Sequence, residues 1–213
     1  MATIAVIDYD MGNLHSACKG LQNAGAHTVV TDQAHDVASA DGIVLPGVGS
    51  FDPAMQHIRS RKLDTVIADA LNSGKPFLGI CLGLQVLFEG SAEGSEPGLG
   101  LLPGVVKKFQ PEPGITIPHM GWNQLQLKDS AHPLWQGLPD NPWLYFVHSY
   151  YVAPSDDSVQ AATITHGSQT VTAAIAKDNI MAVQFHPEKS SDAGLKLLSN
   201  FVELVNQRQP SLI

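Results

Sequence analysis

Residues 79–83 read Gly-Ile-Cys-Leu-Gly, a thiol spaced by one residue on each side from a glycine. That spacing suits a nucleophile displayed on a sharp turn between a strand and a helix. Residues without side chains let the chain bend there and let the helix approach closely. The turn also aims backbone N–H groups at the reacting carbon, and a helix N-terminus favours a thiolate. An apolar run, PFLGI, precedes Cys81, and the helical pattern LGLQVLFEG follows it. The plainer reading of Cys81 is core filling, since free cysteine is among the most buried residue types.

A thiol nucleophile needs a base, and the base needs an orienting partner. Of nine histidines, His27, His35, His57 and His132 read as solvated surface imidazoles. His186 differs, because it follows an apolar run in AVQFHPEKS with Glu188 two residues on. In extended backbone, residues i and i+2 share a face, so the carboxylate can reach the ring. Such a pair fixes the tautomer and stabilises imidazolium; its ordinary alternative is a surface His–Glu pair at a strand end. Acyl transfer also needs an oxyanion hole. The Leu82 N–H is one candidate donor, and the loop LPGVGSF (45–51) offers another where Gly47 and Gly49 let the backbone turn inward. Cys18, in NLHSACKGL, reads as a buried helix residue without a chemical role.

These groups must be held by a scaffold. In the N-terminal half short apolar runs alternate with helical patterns: strands at 3–8, 27–32 and 41–47, and a helix at 13–25 ended by Gly25. One or two helices fit 51–73, broken near Arg61, and the PFLGI strand and LGLQVLFEG helix come next. This alternation predicts a parallel sheet with helices on both faces. The second half carries β-branched and aromatic runs at 116–127, 143–153, 159–167, 169–177 and 180–186, separated by turn residues. They predict antiparallel strands added to that sheet. An amphipathic helix over 193–207 packs back on the core. The expected fold is a three-layer α/β unit spanning 1–213 as a single domain, with a mostly parallel central sheet and an antiparallel extension.

Composition narrows the function classes. The chain has 213 residues and a formal net charge of −8, with no basic run longer than Lys107-Lys108, which argues against nucleic acid as a partner. Two cysteines in this length fit a reducing compartment rather than a disulfide framework. The first residues lack a basic region and a long apolar stretch, so no signal peptide is expected. No apolar window is long enough for a membrane helix. The expectation is a soluble cytoplasmic domain.

Taken together, GICLGLQ, LPGVG and QFHPEKS resemble the class I (triad-type) glutamine amidotransferases. The stretches DYDMGNLHS, GLGLLPG, PHMGWNQL and YFVHSYY narrow the likeness to the glutaminase subunits of imidazole glycerol phosphate synthases. It runs from Ile7 to about Phe201. The resemblance implies that Cys81 attacks the side-chain amide of glutamine, that His186 moves the proton and that Glu188 orients His186. It implies that Gln85 holds the amino-acid end of the substrate, together with Gly49 and the Ser149-Tyr150 backbone. The peptide around Val48 would turn its N–H to the site in response to a partner. That partner would be a cyclase (β/α)8 barrel forming a heterodimer, with Asn13, Met120, Trp122 and Lys189 at the interface. No cofactor or metal is implied. Asp10 stands where the family often has glycine. Competing readings are an amidotransferase subunit of the anthranilate, aminodeoxychorismate or guanine-nucleotide type, a free-standing cysteine hydrolase, and a non-catalytic interaction subunit.

Overall fold

A computed structural model describes residues 1–208. The strands β1 (Thr3–Ile7), β2 (His27–Thr31), β3 (Gly42–Gly47), β4 (Phe77–Cys81), β10 (Gln160–His166), β11 (Gln169–Lys177) and β12 (Ile180–Val183), with the short β7 (Gln126–Leu127), form one eight-stranded sheet. Its order is β2-β1-β3-β4-β12-β11-β10-β7. The pairings from β2 to β12 are parallel, and those from β12 outward are antiparallel.

Strand alternation explains the three layers. Along β1, Ile4 and Val6 enter one core, with Cys18 and Leu21 of α1 (Leu14–Asn23) and Leu197, Leu198 and Phe201 of α6 (Ser191–Gln207). Ala5 and Ile7 enter the opposite core, with Val37 of α2 (Ala34–Ser39), Phe51 and Ile58 of α3 (Phe51–Ser60) and Ile67 of α4 (Leu63–Asn72). Both faces of the parallel region are therefore buried, which is why its strands read as continuous apolar runs. No helix among the described residues is long and apolar enough to cross a membrane.

The helical region at 51–73 is two helices, broken as expected near Arg61, where Lys62 takes a left-handed conformation (φ 59°). Four details differ from the sequence expectations. The short α2 has no extended periodicity to betray it. The helix expected after Cys81 stops after one turn, as α5 (Leu82–Gln85), so the helix-dipole argument for the thiol loses most of its force. Only part of the second half extends the sheet. Strands β5 (Gly104–Lys108) and β9 (Tyr150–Pro154) make a separate ribbon, and so do β6 (His119–Gln124) and β8 (Trp143–His148). Strand β12 lies parallel to β4 rather than antiparallel.

The tightest crossing lies at α5. A Cβ on Gly83 would sit 1.8 Å from the Leu45 carbonyl oxygen of β3, and one on Gly79 would sit 2.7 Å from the Gly83 oxygen. Only glycine lets the turn cross the sheet this closely. Gly83→Ala is expected to cost on the order of 3 kcal/mol or to prevent folding, because the clash is with the Leu45 backbone, which cannot swing aside as a side chain can; urea unfolding of the purified variant checks this.

Candidate active site

Cys81 ends β4 beside Gly47 of β3 and has φ 56° and ψ −110°, a region that residues with a Cβ rarely adopt. Cys81 is 8 % exposed. Because β12 runs parallel to β4, with Val183 paired to Ile80, its continuation delivers His186 to the same sheet edge. Parallel strands bring their C-terminal ends together, and this unites residues a hundred positions apart.

His186 and Glu188 have side chains only 2 % and 3 % exposed, and Nδ1 lies 2.8 Å from the Glu188 Oε1. The contact is made through a 3-10 turn, Pro187–Lys189, and not along the extended backbone expected from the sequence. Ser190 locks the arrangement: its hydroxyl donates to the His186 carbonyl at 2.6 Å and accepts from the Tyr145 N–H at 2.9 Å. With Nδ1 donating to the carboxylate, Nε2 is the nitrogen left to exchange a proton with a second partner. It meets no partner of good hydrogen-bond geometry, and what it interacts with is the Cys81 thiol. Burial works against the imidazolium, but the thiol and the Glu188 carboxylate more than offset it, and the His186 pKa is pushed up to about 9.

A cavity of about 310 Å³ opens at this edge, lined by Cys81, Leu82, Gln85, Val48, Gly49, Ser149, Tyr150 and His186. All eight were singled out in the sequence. Gly47 stands behind them, paired to Cys81 in the sheet. The Val48 N–H donates to the Met11 carbonyl at 2.6 Å, so in the chain without a partner one of the two expected oxyanion donors is committed elsewhere. Of the residues expected at a partner interface, Met120 (62 % exposed) and Trp122 project from the β6–β8 ribbon, Lys189 is exposed beside Glu188, and Asn13 is half-buried ahead of α1.

The cavity also contains residues that the sequence reading missed: Glu93, Pro118, Val147 and His148. Glu93 sits in an irregular loop, where nothing in the sequence marks it. Its carboxylate accepts from the Phe51 N–H at 2.9 Å. Asp52 of α3 ties down the same loop by accepting from the Ser95 and Glu96 N–H groups. Gln184, fully buried beside the thiol, was legible as a polar residue interrupting the apolar run IMAVQFH.

Backbone carbonyls at two points fix the polarity of the surrounding hydrogen bonds. The Tyr150 carbonyl can only accept, so the His148 Nδ1 (2.8 Å) and Gln85 Nε2 (3.1 Å) that meet it are donors. His148 Nε2 is then an acceptor and His119 Nδ1, 3.1 Å away, a donor. His119 Nε2 in turn accepts from Asn123, whose amide also donates to the Thr165 carbonyl. Both histidines are held neutral. Burial lowers the His148 pKa to about 3 and the His119 pKa to about 4, with neighbouring histidines pushing the same way.

A strained thiol elbow on a parallel sheet, with a buried His–carboxylate pair against it, defines a triad-type amidotransferase domain. The chain belongs to the class-I glutamine amidotransferase family, whose model matches residues 5–205. It is 72% identical to the imidazole glycerol phosphate synthase subunit HisH of Cyanothece sp., over 96% of this chain and 97% of the relative. It is 64% identical to the subunit of the same name from Nostoc punctiforme, over 99% of this chain and 100% of the relative. The fold matches the structure of PurLQS from Thermotoga maritima (TM-score 0.73, 22% identity, 96% of this chain and 99% of that one). It also matches the glutaminase domain of Trypanosoma brucei CTPS with bound acivicin (TM-score 0.67, 15% identity, 99% and 96%).

The neutral histidine pair has a consequence for stability. Between pH 6.5 and about 4 the unfolded chain protonates these residues while the folded chain does not, so stability falls as pH drops through that window. The thermal midpoint at pH 5 is expected to lie below that at pH 7.5. His148→Gln should lower it at pH 7.5 and make its dependence on pH shallower; scanning calorimetry reads both.

Proposed function

We propose that this protein is the glutaminase subunit of an imidazole glycerol phosphate synthase, working in the cytoplasm in histidine biosynthesis. The observation that carries the chemistry is the buried His186–Glu188 pair set against the strained Cys81 thiol in a cavity of amino-acid size. The names and identity of the full-length relatives support the pathway.

The Cys81 proton passes to His186 Nε2, and the thiolate attacks the side-chain carbonyl carbon of glutamine. Glu188, bound to Nδ1, stabilises the imidazolium. Negative charge develops on the carbonyl oxygen next to the Leu82 N–H. Collapse of this intermediate breaks the C–N bond, with the His186 proton going to the departing nitrogen, and leaves a γ-glutamyl thioester and ammonia. His186 then takes a proton from water, whose attack on the thioester frees glutamate and restores the thiol. Both Gln85 amide hydrogens are already used, on Tyr150 and Gln184, so its Oε1 is the atom suited to receive the substrate ammonium. The Glu93 carboxylate lining the cavity favours the same group.

The ammonia passes to a cyclase (β/α)8 barrel, bound as a heterodimer, which makes imidazole glycerol phosphate and aminoimidazole carboxamide ribonucleotide. Support for docking comes from the outer face of the β6–β8 ribbon. Met120 lies opposite Val147, Trp122 opposite Tyr145 and Gln124 opposite Trp143. Met120, Trp122 and Trp143 are exposed, and Val147 also lines the cavity, so this apolar face borders the site. A free-standing hydrolase fits less well, because the Val48 N–H is held by Met11 and away from an oxyanion.

Ammonia release from glutamine, measured with and without the cyclase and its nucleotide substrate, tests this reading. Release is expected to rise at least about 100-fold on assembly, the effect of one recovered oxyanion donor. Full turnover by the isolated chain would favour the free-standing hydrolase. Cys81→Ala should abolish glutamine-dependent synthesis while leaving ammonia-dependent synthesis by the complex intact. Trp122→Ala should weaken complex formation by about tenfold or more, as loss of an aromatic interface anchor does; titration calorimetry reads that change.

A further inference from the structure

We propose that Gln184 is a positioning residue for the nucleophile: its side-chain amide donates an N–H to the Cys81 sulfur and favours the thiolate that attacks the substrate. This rests on the glutaminase reading and adds to it a residue outside the triad.

Gln184 is 0 % exposed, and a buried primary amide must find partners for its polar atoms. Two surround it. Gln85 Nε2 lies 3.0 Å from the Gln184 Oε1, and the Gln184 Nε2 lies 3.7 Å from Cys81 Sγ. The orientation of the amide follows from a fixed point outside it. Because the Tyr150 carbonyl can only accept, the Gln85 atom facing it is the NH2 nitrogen, and the second hydrogen of that nitrogen points at Gln184. The Gln184 atom receiving it must be oxygen, which leaves the Gln184 NH2 against sulfur. Turning the amide over would set nitrogen against nitrogen at one end and oxygen against sulfur at the other.

The donor acts on one charge state. When the Sγ proton moves to His186 Nε2, the sulfur gains a negative charge, and an N–H donated to an anion is stronger than one donated to a neutral thiol. After attack the sulfur is bonded to carbon and carries no charge, and this extra strength disappears. Gln184 thus supports the attacking form and does not trap the intermediate. The backbone serves the same end: the Gln184 N–H donates to the Ala173 carbonyl of β11 at 2.8 Å, which holds the residue in line with β12.

Gln184→Met keeps the volume and removes the donor. With it, alkylation of Cys81 by iodoacetamide at neutral pH, read by peptide mass spectrometry, is expected to slow about tenfold, the effect of one hydrogen bond to a charged group. In the complex with the cyclase, kcat for glutamine should fall by a similar factor, while KM moves less than about threefold because Tyr150 still holds Gln85. Unchanged alkylation and kcat in folded Gln184→Met overturn the proposal. If that variant fails to fold, Gln85→Met carries the test. It leaves Gln184 in place but frees its amide to turn, and alkylation should slow about threefold; an unchanged rate there also overturns the proposal. A wild-type complex that releases no ammonia from glutamine, combined with slowed alkylation in Gln184→Met, refutes the glutaminase reading and upholds this role for Gln184.

Discussion

The close crossing of α5 over β3 is the constraint on which the rest of the site depends. Gly83 passes so near the Leu45 carbonyl that no side chain fits, and the chain can reach that position only by a sharp reversal at Cys81. The unfavourable backbone of Cys81 is the local cost of that reversal, and it is sustained because the apolar strands β3, β4 and β12 hold both ends of the turn. Freed of the crossing, Cys81 would relax to an ordinary extended conformation and its sulfur would leave the cavity. The same sheet brings His186 to the thiol, since β12 is parallel to β4. Cys81 and His186 are therefore positioned by one set of backbone pairings.

Around this edge the protein sets a histidine of raised proton affinity beside two of lowered affinity. His186 gains proton affinity from Cys81 and Glu188 in spite of its burial, whereas His119 and His148 lose it to burial. The difference lies in partners. Glu188 offers a charge to His186, while His148 meets a carbonyl, a neutral imidazole and two aromatic neighbours, Phe109 and Phe146. A second imidazolium near His186 would work against protonation of the base, so neutrality of the pair serves the triad as well as the core.

Much of this was legible in the sequence where geometry follows from local pattern. Gly-x-Cys-x-Gly after an apolar run is informative because the crossing requires glycine, and parallel topology follows from alternation of short strands and helices. The His186–Glu188 pair was found with a partly mistaken argument: the spacing was right, but a proline-initiated 3-10 turn makes the contact. What escaped depends on long-range packing. The length of α5 is set by where Val86, Leu87 and Phe88 must be buried, which outweighs their helical periodicity. Whether a β-rich segment joins the main sheet or pairs as a separate ribbon is decided by partners dozens of residues away. Glu93 reaches the cavity because Asp52 and Arg59 of α3 hold its loop, through contacts about 40 residues apart in sequence that leave no periodic trace.

On the proposed reading, the Val48 peptide is where binding of a partner would act. Its bond to Met11 is a single backbone hydrogen bond, worth a net of about 1 kcal/mol against solvent and more in a partly buried setting. A partner that turns this peptide must therefore bind the turned form more tightly than the resting one, by an amount set by the resting equilibrium. Moving a population from about 1:99 to 99:1 takes roughly 5.5 kcal/mol of differential binding. An apolar face carrying two exposed tryptophans is able to supply that much, provided some of its burial is available only in the turned state. Val147 is on that face and also lines the cavity, and β6 opposite it leads through His119 and His148 to the Tyr150 carbonyl. The ribbon thus borders the wall of the cavity beside Cys81, whereas Val48 lies on a different loop, fastened to Met11. On the proposed reading, a partner that docks on the ribbon and also contacts the segment ahead of α1, which carries Met11 and Asn13, would touch both the cavity wall and the group that holds Val48.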